Sequence, residues 1–524
     1  MHKLAQIRLA RLFAADKQLL LDGRLIGLEK ETLRVAPQGG LSQKPHPRSL
    51  GSALTHPYIT TDYSEALMEF ITPPFGHSSD ALAFLRDAQA YVYGHLDDEQ
   101  LWATSMPCVV ACEEGVPIAW YGSSNAGMMK HVYRRGLGYR YGKVMQVIAG
   151  VHFNYSLPEN FWRLYQEIEG SSQTLREFID EQYFALIRNL QRFGWLIPYL
   201  FGASPAVCKS FLCGKSTSLS EFDANTYYGP FATSLRMGDI GYQNNKENEI
   251  GIKACYRNLE AYIQSLQYAI STPYKGYEEI GVKVNGEYRQ LNANILQIEN
   301  EYYSTVRPKQ ILEGYEKPTL ALKRRGVRYI ELRSLDVNAF EPLGINAMQM
   351  KFIEALMVYC LLQDSQQICH NEQYEIDQNE LDVAHKGRDP QLKLQRDARA
   401  VSLRQWALEI CDDMQGVCEL LDRSHPDKPY MKALAEQREK VTDPQLTPSA
   451  RMLQTMRENG EGFYRFARRM SQQHFDYFRQ VEITAEQRRF FDDLAVSSLQ
   501  KQAQLEADNS LSFDEFLQNY FSQC

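Results

Sequence analysis

The strongest constraint on this chain is a set of short strand-like runs that carry charge where a buried strand is normally apolar. In Gly27-Leu28-Glu29-Lys30-Glu31-Thr32-Leu33-Arg34-Val35, alternate residues of a strand share a face, so Glu29 and Glu31 project together and Leu28 and Lys30 lie on the other side. The alternation recurs in Tyr329 to Asp336, which aligns Glu331, Arg333 and Leu335, and in Val151 to Ser156, which aligns His152, Asn154 and Ser156. A further pair, Glu299 and Glu301, stands in Leu296 to Tyr303, and Thr60 to Phe70 offers Asp62, Glu65 and Glu69.

Two adjacent carboxylates repel and raise each other's pKa unless a cation sits between them. Hard oxygen donors grouped with one imidazole suit Mg2+ or Mn2+ rather than a structural zinc. Taken singly, each run is more often the solvated face of an antiparallel sheet, His152 more often a hydrogen-bonded histidine, and Arg333 reads simply as the ion-pair partner of Glu331. Four such runs, each apolar on its opposite face, set a polynuclear metal site beside that plainer reading, and both stay open at this point.

Composition excludes several classes. Across 524 residues, 57 Lys and Arg face 65 Asp and Glu, a formal charge of −8, which argues against the basic face a nucleic-acid protein needs. The ten cysteines include no CxxC pair, so a zinc ribbon, a thioredoxin-type motif and a dense disulfide scaffold lack support. The N-terminus, with Lys3, Arg8 and Arg11 among apolar residues but interrupted by Asp16 and Asp22, reads as an amphipathic helix rather than a transit peptide. The longest uncharged run, Phe193 to Cys208, contains Pro198 and Pro205 and is too short to span a bilayer. No membrane role is expected, and a cytoplasmic location is the default. Gly214-Lys215-Ser216 lacks the upstream P-loop glycine, Lys209 standing in its place, and the Gly136-Leu137-Gly138 fingerprint finds its third glycine, Gly142, one residue late.

The texture changes near residue 345. Before it, β-type and helical runs alternate; after it, the chain reads mostly as amphipathic helix, starting at Ala347, where Met348, Phe352, Ala355, Leu356 and Tyr359 share a face. Residues 373–389 are polar and weakly patterned and are expected to form a loop. The expected organisation is an α+β catalytic part over 1–345 and a mainly helical part over 346–524 packed on it as one compact unit, with surface helices around a modest core.

At these residues the chain closely resembles the glutamate–cysteine ligase family, also called γ-glutamylcysteine synthetases, of the monofunctional bacterial class. The resemblance runs almost continuously from Gly27 to Pro342, through GLEKETLRV, GSALTHPYITTDYSEALMEFITPP, YGSSNAG, RYGKVMQVIAGVHFNYSLP, FATSLRMGDIGY, LQIENEYYSTVRPK and YIELRSLDVNAFEP. Beyond residue 345 it is looser, LTPSARML being the clearest piece. It implies a glutamine-synthetase-like α+β fold whose curved, mostly antiparallel sheet forms a funnel, with ATP at one side, amino acids at the other and two or three Mg2+ ions between them. The implied ligand sets are Glu29, His152 and Glu331 for one ion and Glu31 with Glu69 for a second, Asp62 helping to hold a third. Arg333 is implied at the phosphate in transit, and Tyr133, Arg236, Tyr242 and Tyr303 around the acceptor. The implied reaction joins the γ-carboxyl of L-glutamate to the α-amine of L-cysteine through γ-glutamyl phosphate, the first step of glutathione biosynthesis. Glutathione is the expected feedback inhibitor, and no obligate protein partner is evident. The competing readings are a glutamate-dependent ligase with a different amine acceptor and a Mg2+-dependent phosphohydrolase.

Overall fold

The charged runs become strands of one sheet. In the computed structural model, which describes residues 3–15, 23–107, 109–241 and 253–523, the main sheet comprises β1 (Leu25–Val35), β2 (Ile59–Thr61), β3 (Leu67–Ile71), β4 (Gln100–Leu101), β5 (Gly150–Ser156), β6 (Val306–Lys309) and β7 (Tyr329–Asp336). Its order is β6-β7-β5-β1-β3-β2, with β4 pairing the end of β1, and every pairing is antiparallel. The sheet does not close on itself. Tyr242 lies outside the described residues, as do Asp16 and Asp22.

The register decides which side chains meet. Glu29 stands opposite His152 across β1 and β5, Glu31 opposite Glu69 across β1 and β3, and Glu331 opposite Asn154 across β7 and β5. Because the side-chain period of a strand is two, a slip of one residue would send all of these to the other face. That other face is apolar and fully covered: Leu28, Val151, Phe153, Ile330 and Leu332 are buried in the main core. Lys30 shares this face, its ammonium donating to Gln89 Oε1 at 2.6 Å and to the Pro342 carbonyl at 3.1 Å, and burial pushes its pKa down to about 7.

Helices supply the cover. Those used below are α1 (Lys3–Ala14), α2 (Ser78–Tyr93), α3 (Asn125–Tyr141), α4 (Leu175–Phe193), α5 (Ala347–Leu362), α6 (His370–Lys386), α7 (Ala485–Ala507) and α8 (Phe513–Phe521). The expected amphipathic helix at Ala347 is found as α5, capped by Asn346 and Gln349, but every residue from Gln349 to Leu362 is buried, so it is a central helix covered on all faces. It packs against α1, α2 and α4 and two later helices, and one hydrophobic core holds Leu28 and Phe153 together with Met350 and Leu453. Residues 373–389, expected to be a loop, fall mostly within α6. No Gly or Pro interrupts that segment before Gly387, and Ile376, Asn379, Val383 and Ala384 form the narrow buried stripe that polar composition concealed.

The fourth charged run is not a strand. Glu299–Glu301 form a 3-10 turn in which Glu301 accepts the Gln297 backbone N–H at 2.7 Å, and a side chain that satisfies its own backbone removes the reason to pair in a ladder. Glu301 also accepts from Arg140 Nη1 at 2.9 Å and the Tyr141 hydroxyl at 2.7 Å, and Glu299 accepts from Thr319 Oγ1 at 2.6 Å. Among the described cysteines, Cys112 and Cys213 form a disulfide, while Cys208, Cys360, Cys411 and Cys418 are buried thiols. No described helix is long and apolar enough to cross a membrane.

Candidate active site

The opposite face of the sheet gathers the acidic residues around one imidazole, with Glu31, His152 and Glu331 buried. His152 Nδ1 lies 3.1 Å from Glu29 Oε2 and 3.8 Å from Glu331 Oε1, while its Nε2 lies 3.8 Å from Glu31 Oε1. Glu29, His152 and Glu331 each offer a ligand atom within 4.8 Å of the others. Donors on opposite sides of one Mg2+ stand roughly 4 Å apart, so this set fits such an ion after small side-chain adjustment. Asn154 Nδ2 donates to Glu29 Oε1 at 2.8 Å and fixes the carboxylate's orientation.

The second group is Glu31, Glu69 and Asp62. Glu31 Oε2 accepts the Gly150 backbone N–H at 2.7 Å. Burial, then the charges of Glu29, Asp62 and Glu31, push the Glu69 carboxyl well above the usual carboxylate range. Burial raises Glu31 too, with the His152 charge acting against it. Burial and the neighbouring Glu331 act upwards on Glu29, but its hydrogen bond to His152, the imidazole charge and Lys309 leave it below the ordinary value. Glu331 is held well below that range: burial opposes ionisation, and Lys309, Arg333, His152 and Arg307 overcome it. Carboxylates whose protons are contested in this way fit a site built for cations.

Three cations edge the acids. Arg333 Nη1 donates to Glu331 Oε2 at 3.3 Å, Lys309 Nζ lies 3.3 Å from Glu331 Oε1, and Arg134 Nη2 lies 3.6 Å from Asp62 Oδ1. Arg134 stacks over the Tyr121 ring at 4.6 Å, with Lys130 one turn away at 5.1 Å from the same ring. Lys130, Arg134 and Lys309 were not singled out by sequence reasoning. The available signal was the i, i+4 spacing of Lys130 and Arg134 behind the Ser124 cap, which puts both on one face of α3.

Arg236 is placed by a buried anion. Asp336 accepts from the Ala203 backbone N–H at 2.8 Å, Ser204 Oγ at 2.6 Å and Ser234 Oγ at 2.9 Å, and its Oδ1 lies 3.8 Å from Arg236 Nη1. Arg236 Nη2 donates to the Arg333 carbonyl at 2.8 Å, which ties the two guanidinium-bearing segments together. It can do so because residue 150 has no side chain: a Cβ there would stand 2.2 Å from Arg236 Nη2. Tyr303 is half-buried, its hydroxyl 3.7 Å from Met237 Sδ beside Arg236, whereas the neighbouring Tyr302 turns inward and its hydroxyl accepts the Ala254 N–H at 3.0 Å. Tyr303 and Thr305 border a cavity of about 1050 Å3 that Arg188, Tyr256, His370 and Glu380 also line. Tyr133, half-buried on α3, completes the described acceptor residues expected from the sequence, its carbonyl accepting from Gln297 Nε2 at 3.2 Å.

An open antiparallel sheet with one face sealed by helices and the other crowded with carboxylates, imidazole and guanidinium groups is the site of an enzyme that manages highly charged small substrates. A family model described as glutamate-cysteine ligase matches residues 9–383. The chain is 48% identical over 519 residues to the glutamate–cysteine ligase of Alcanivorax borkumensis, covering 98% of each chain, and 49% identical over 523 residues to that of Azotobacter vinelandii, covering 99% of this chain and 98% of the other. It resembles the crystal structure of Francisella tularensis glutamate–cysteine ligase in complex with AMP at a TM-score of 0.89 and 37% identity, with 95% of this chain and 97% of that one covered. The chain belongs to the glutamate–cysteine ligase family.

Proposed function

We propose that this chain joins the γ-carboxyl of L-glutamate to the α-amine of L-cysteine at the expense of ATP, through γ-glutamyl phosphate. The observation that carries this reading is the cross-strand set of Glu29, His152 and Glu331 with Arg333 donating to Glu331, on a chain whose family membership spans nearly its full length. A γ-carboxylate oxygen of glutamate attacks the γ-phosphorus of ATP, the bond to the bridging oxygen breaks, and ADP leaves. The cysteine amine then attacks the carbonyl carbon, phosphate departs with the oxygen that glutamate supplied, and the amine gives up a proton.

Both steps bring anions together, and the residues divide that work. Glu29, His152 and Glu331 are proposed to hold one Mg2+, Glu31 and Glu69 a second, with Asp62 contributing to a third; Mn2+ satisfies the same donors. The ions supply neutralisation of the triphosphate and alignment of nucleophile with leaving group. Arg333 is proposed to meet the phosphoryl group in transit, where a planar guanidinium fork matches phosphate oxygens. Arg236, held by Asp336, is proposed to bind the carboxylate of cysteine, with Tyr133, Tyr242 and Tyr303 around its side chain. The AMP complex of the Francisella relative supports adenine-nucleotide use. Feedback by glutathione, which contains the γ-glutamylcysteine unit, and a cytoplasmic location belong to the same proposal.

ADP release from MgATP, measured with glutamate alone, cysteine alone and both, tests the reading. Sustained release requires both amino acids, and 2-aminobutyrate, which keeps the amine and replaces the thiol by a methyl, substitutes for cysteine. Release indifferent to glutamate identifies a phosphohydrolase instead.

A further inference from the structure

The C-terminal helices return to the site from outside. α7 runs beside the segment that leads into β2, where the Ser52 N–H donates to Ser498 Oγ at 2.9 Å and Thr55 Oγ1 donates to the Ser498 carbonyl at 2.6 Å. The chain then crosses the start of α3: the Ser123 N–H donates to Glu506 Oε1 at 2.9 Å, and Asn125 donates through its backbone N–H to Asn509 Oδ1 at 3.1 Å and through Nδ2 to the Leu511 carbonyl at 2.8 Å. α8 starts in a capping box formed by Ser512 and Glu515. At its far end the buried Lys317 ammonium donates to the Phe521 and Gln523 carbonyls at 2.8 and 3.0 Å, the place where a cation best complements a helix end.

Between these anchors, Leu517 of α8 closes a small hydrophobic cluster, separate from the main core, with Val132 of α3 and Leu291. Tyr133 and Ile298 pack against that cluster. Tyr133 packs against the main core as well, so it stands between that core and the cluster that Leu517 closes, while Ile298 leads into the turn Glu299–Glu301 that precedes Tyr303. None of Glu29, His152 or Glu331, nor any residue of their strands, belongs to the cluster.

We propose that α8 is a positioning element of the acceptor pocket, setting the affinity for the amino acid that supplies the amine without touching the strands that carry Glu29, His152 and Glu331. This rests on the reading of Tyr133 and Tyr303 as acceptor residues. A helix turn displaced by less than a side-chain radius changes where an aromatic wall stands, and small misplacements of this kind carry large kinetic effects.

Steady-state kinetics of the full-length Leu517→Ala enzyme test the proposal. The KM for cysteine rises about tenfold, the KM for glutamate stays at the wild-type value, and Leu517→Met restores the KM for cysteine. Val417→Ala, a core truncation in the helix Leu403–Leu421, sets the effect of destabilisation alone. If Leu517→Ala does not fold, Leu517→Val is read in the same way. A Leu517 variant with lowered Tm and an unchanged KM for cysteine overturns the proposal, as does a KM for glutamate that rises in parallel. Wild-type ADP release that ignores cysteine would instead overturn the acceptor reading itself, so the two failures are distinct.

Discussion

The Glu29→Gln enzyme loses at least about 100-fold in kcat/KM at ordinary Mg2+ and recovers only part of it when Mg2+ is raised to excess. Glutamine keeps the length of the side chain and one oxygen donor, so the loss isolates charge from shape. In the folded chain one carboxylate oxygen of Glu29 faces His152 and the other accepts from Asn154. With an amide at this position the contact to His152 loses its charge, and either the imidazole or the Asn154 amide meets an N–H instead of an acceptor. An ion at the proposed site would therefore have fewer and weaker donors, and its affinity would fall. Excess Mg2+ refills the site by mass action but does not restore the orientation of His152, so the recovery stops short. Activity measured against Mg2+ concentration separates the two contributions. Wild-type activity of the variant at ordinary Mg2+ would contradict the assignment of Glu29.

Arg333→Lys lowers kcat by on the order of 10³-fold, within the range that a single arginine at a transferring phosphoryl group supplies. The strand is expected to survive, because Arg333 is tied into the sheet edge by its backbone N–H, which donates to the Thr305 carbonyl at 2.8 Å and is unaffected by the side chain. Lysine preserves the positive charge near Glu331 but presents a compact ammonium in place of a fork, so it neutralises without spanning two phosphate oxygens. The effect therefore falls on kcat, with the KM for ATP changed less. A kcat near the wild-type value would remove Arg333 from the reacting atoms.

The site was more legible in the sequence than the helices were. Three of the charged runs are strands because charge recurring at period two opposite an apolar face has few other uses, and the register then places Glu29 against His152 and Glu31 against Glu69. The Glu299 and Glu301 run shows where that reasoning stops: the same spacing occurs in a turn when a carboxylate finds its partners in Arg140, Tyr141 and its own backbone, and those partners lie far off in the chain. The one apolar face expected of α5 understates its burial, because a helix surrounded on all sides packs its remaining faces as well. α6 resembles a loop in sequence for the opposite reason, since four buried positions in seventeen leave it almost wholly polar. The support of Arg236 by Asp336, itself held by Ser204 and Ser234, and of Tyr133 by Leu517, depends on contacts between residues 100 or more positions apart, which no local pattern encodes.

The central claim is that this sheet face transfers a phosphoryl group to a carboxylate. It is tested most directly with glutamate carrying 18O in its γ-carboxyl group, turned over with MgATP and cysteine. Because the oxygen that attacks phosphorus leaves with it when the amine displaces phosphate, each turnover places one labelled oxygen in the inorganic phosphate and leaves the other in the product amide. Phosphate without label, formed while the amide accumulates, would contradict the account.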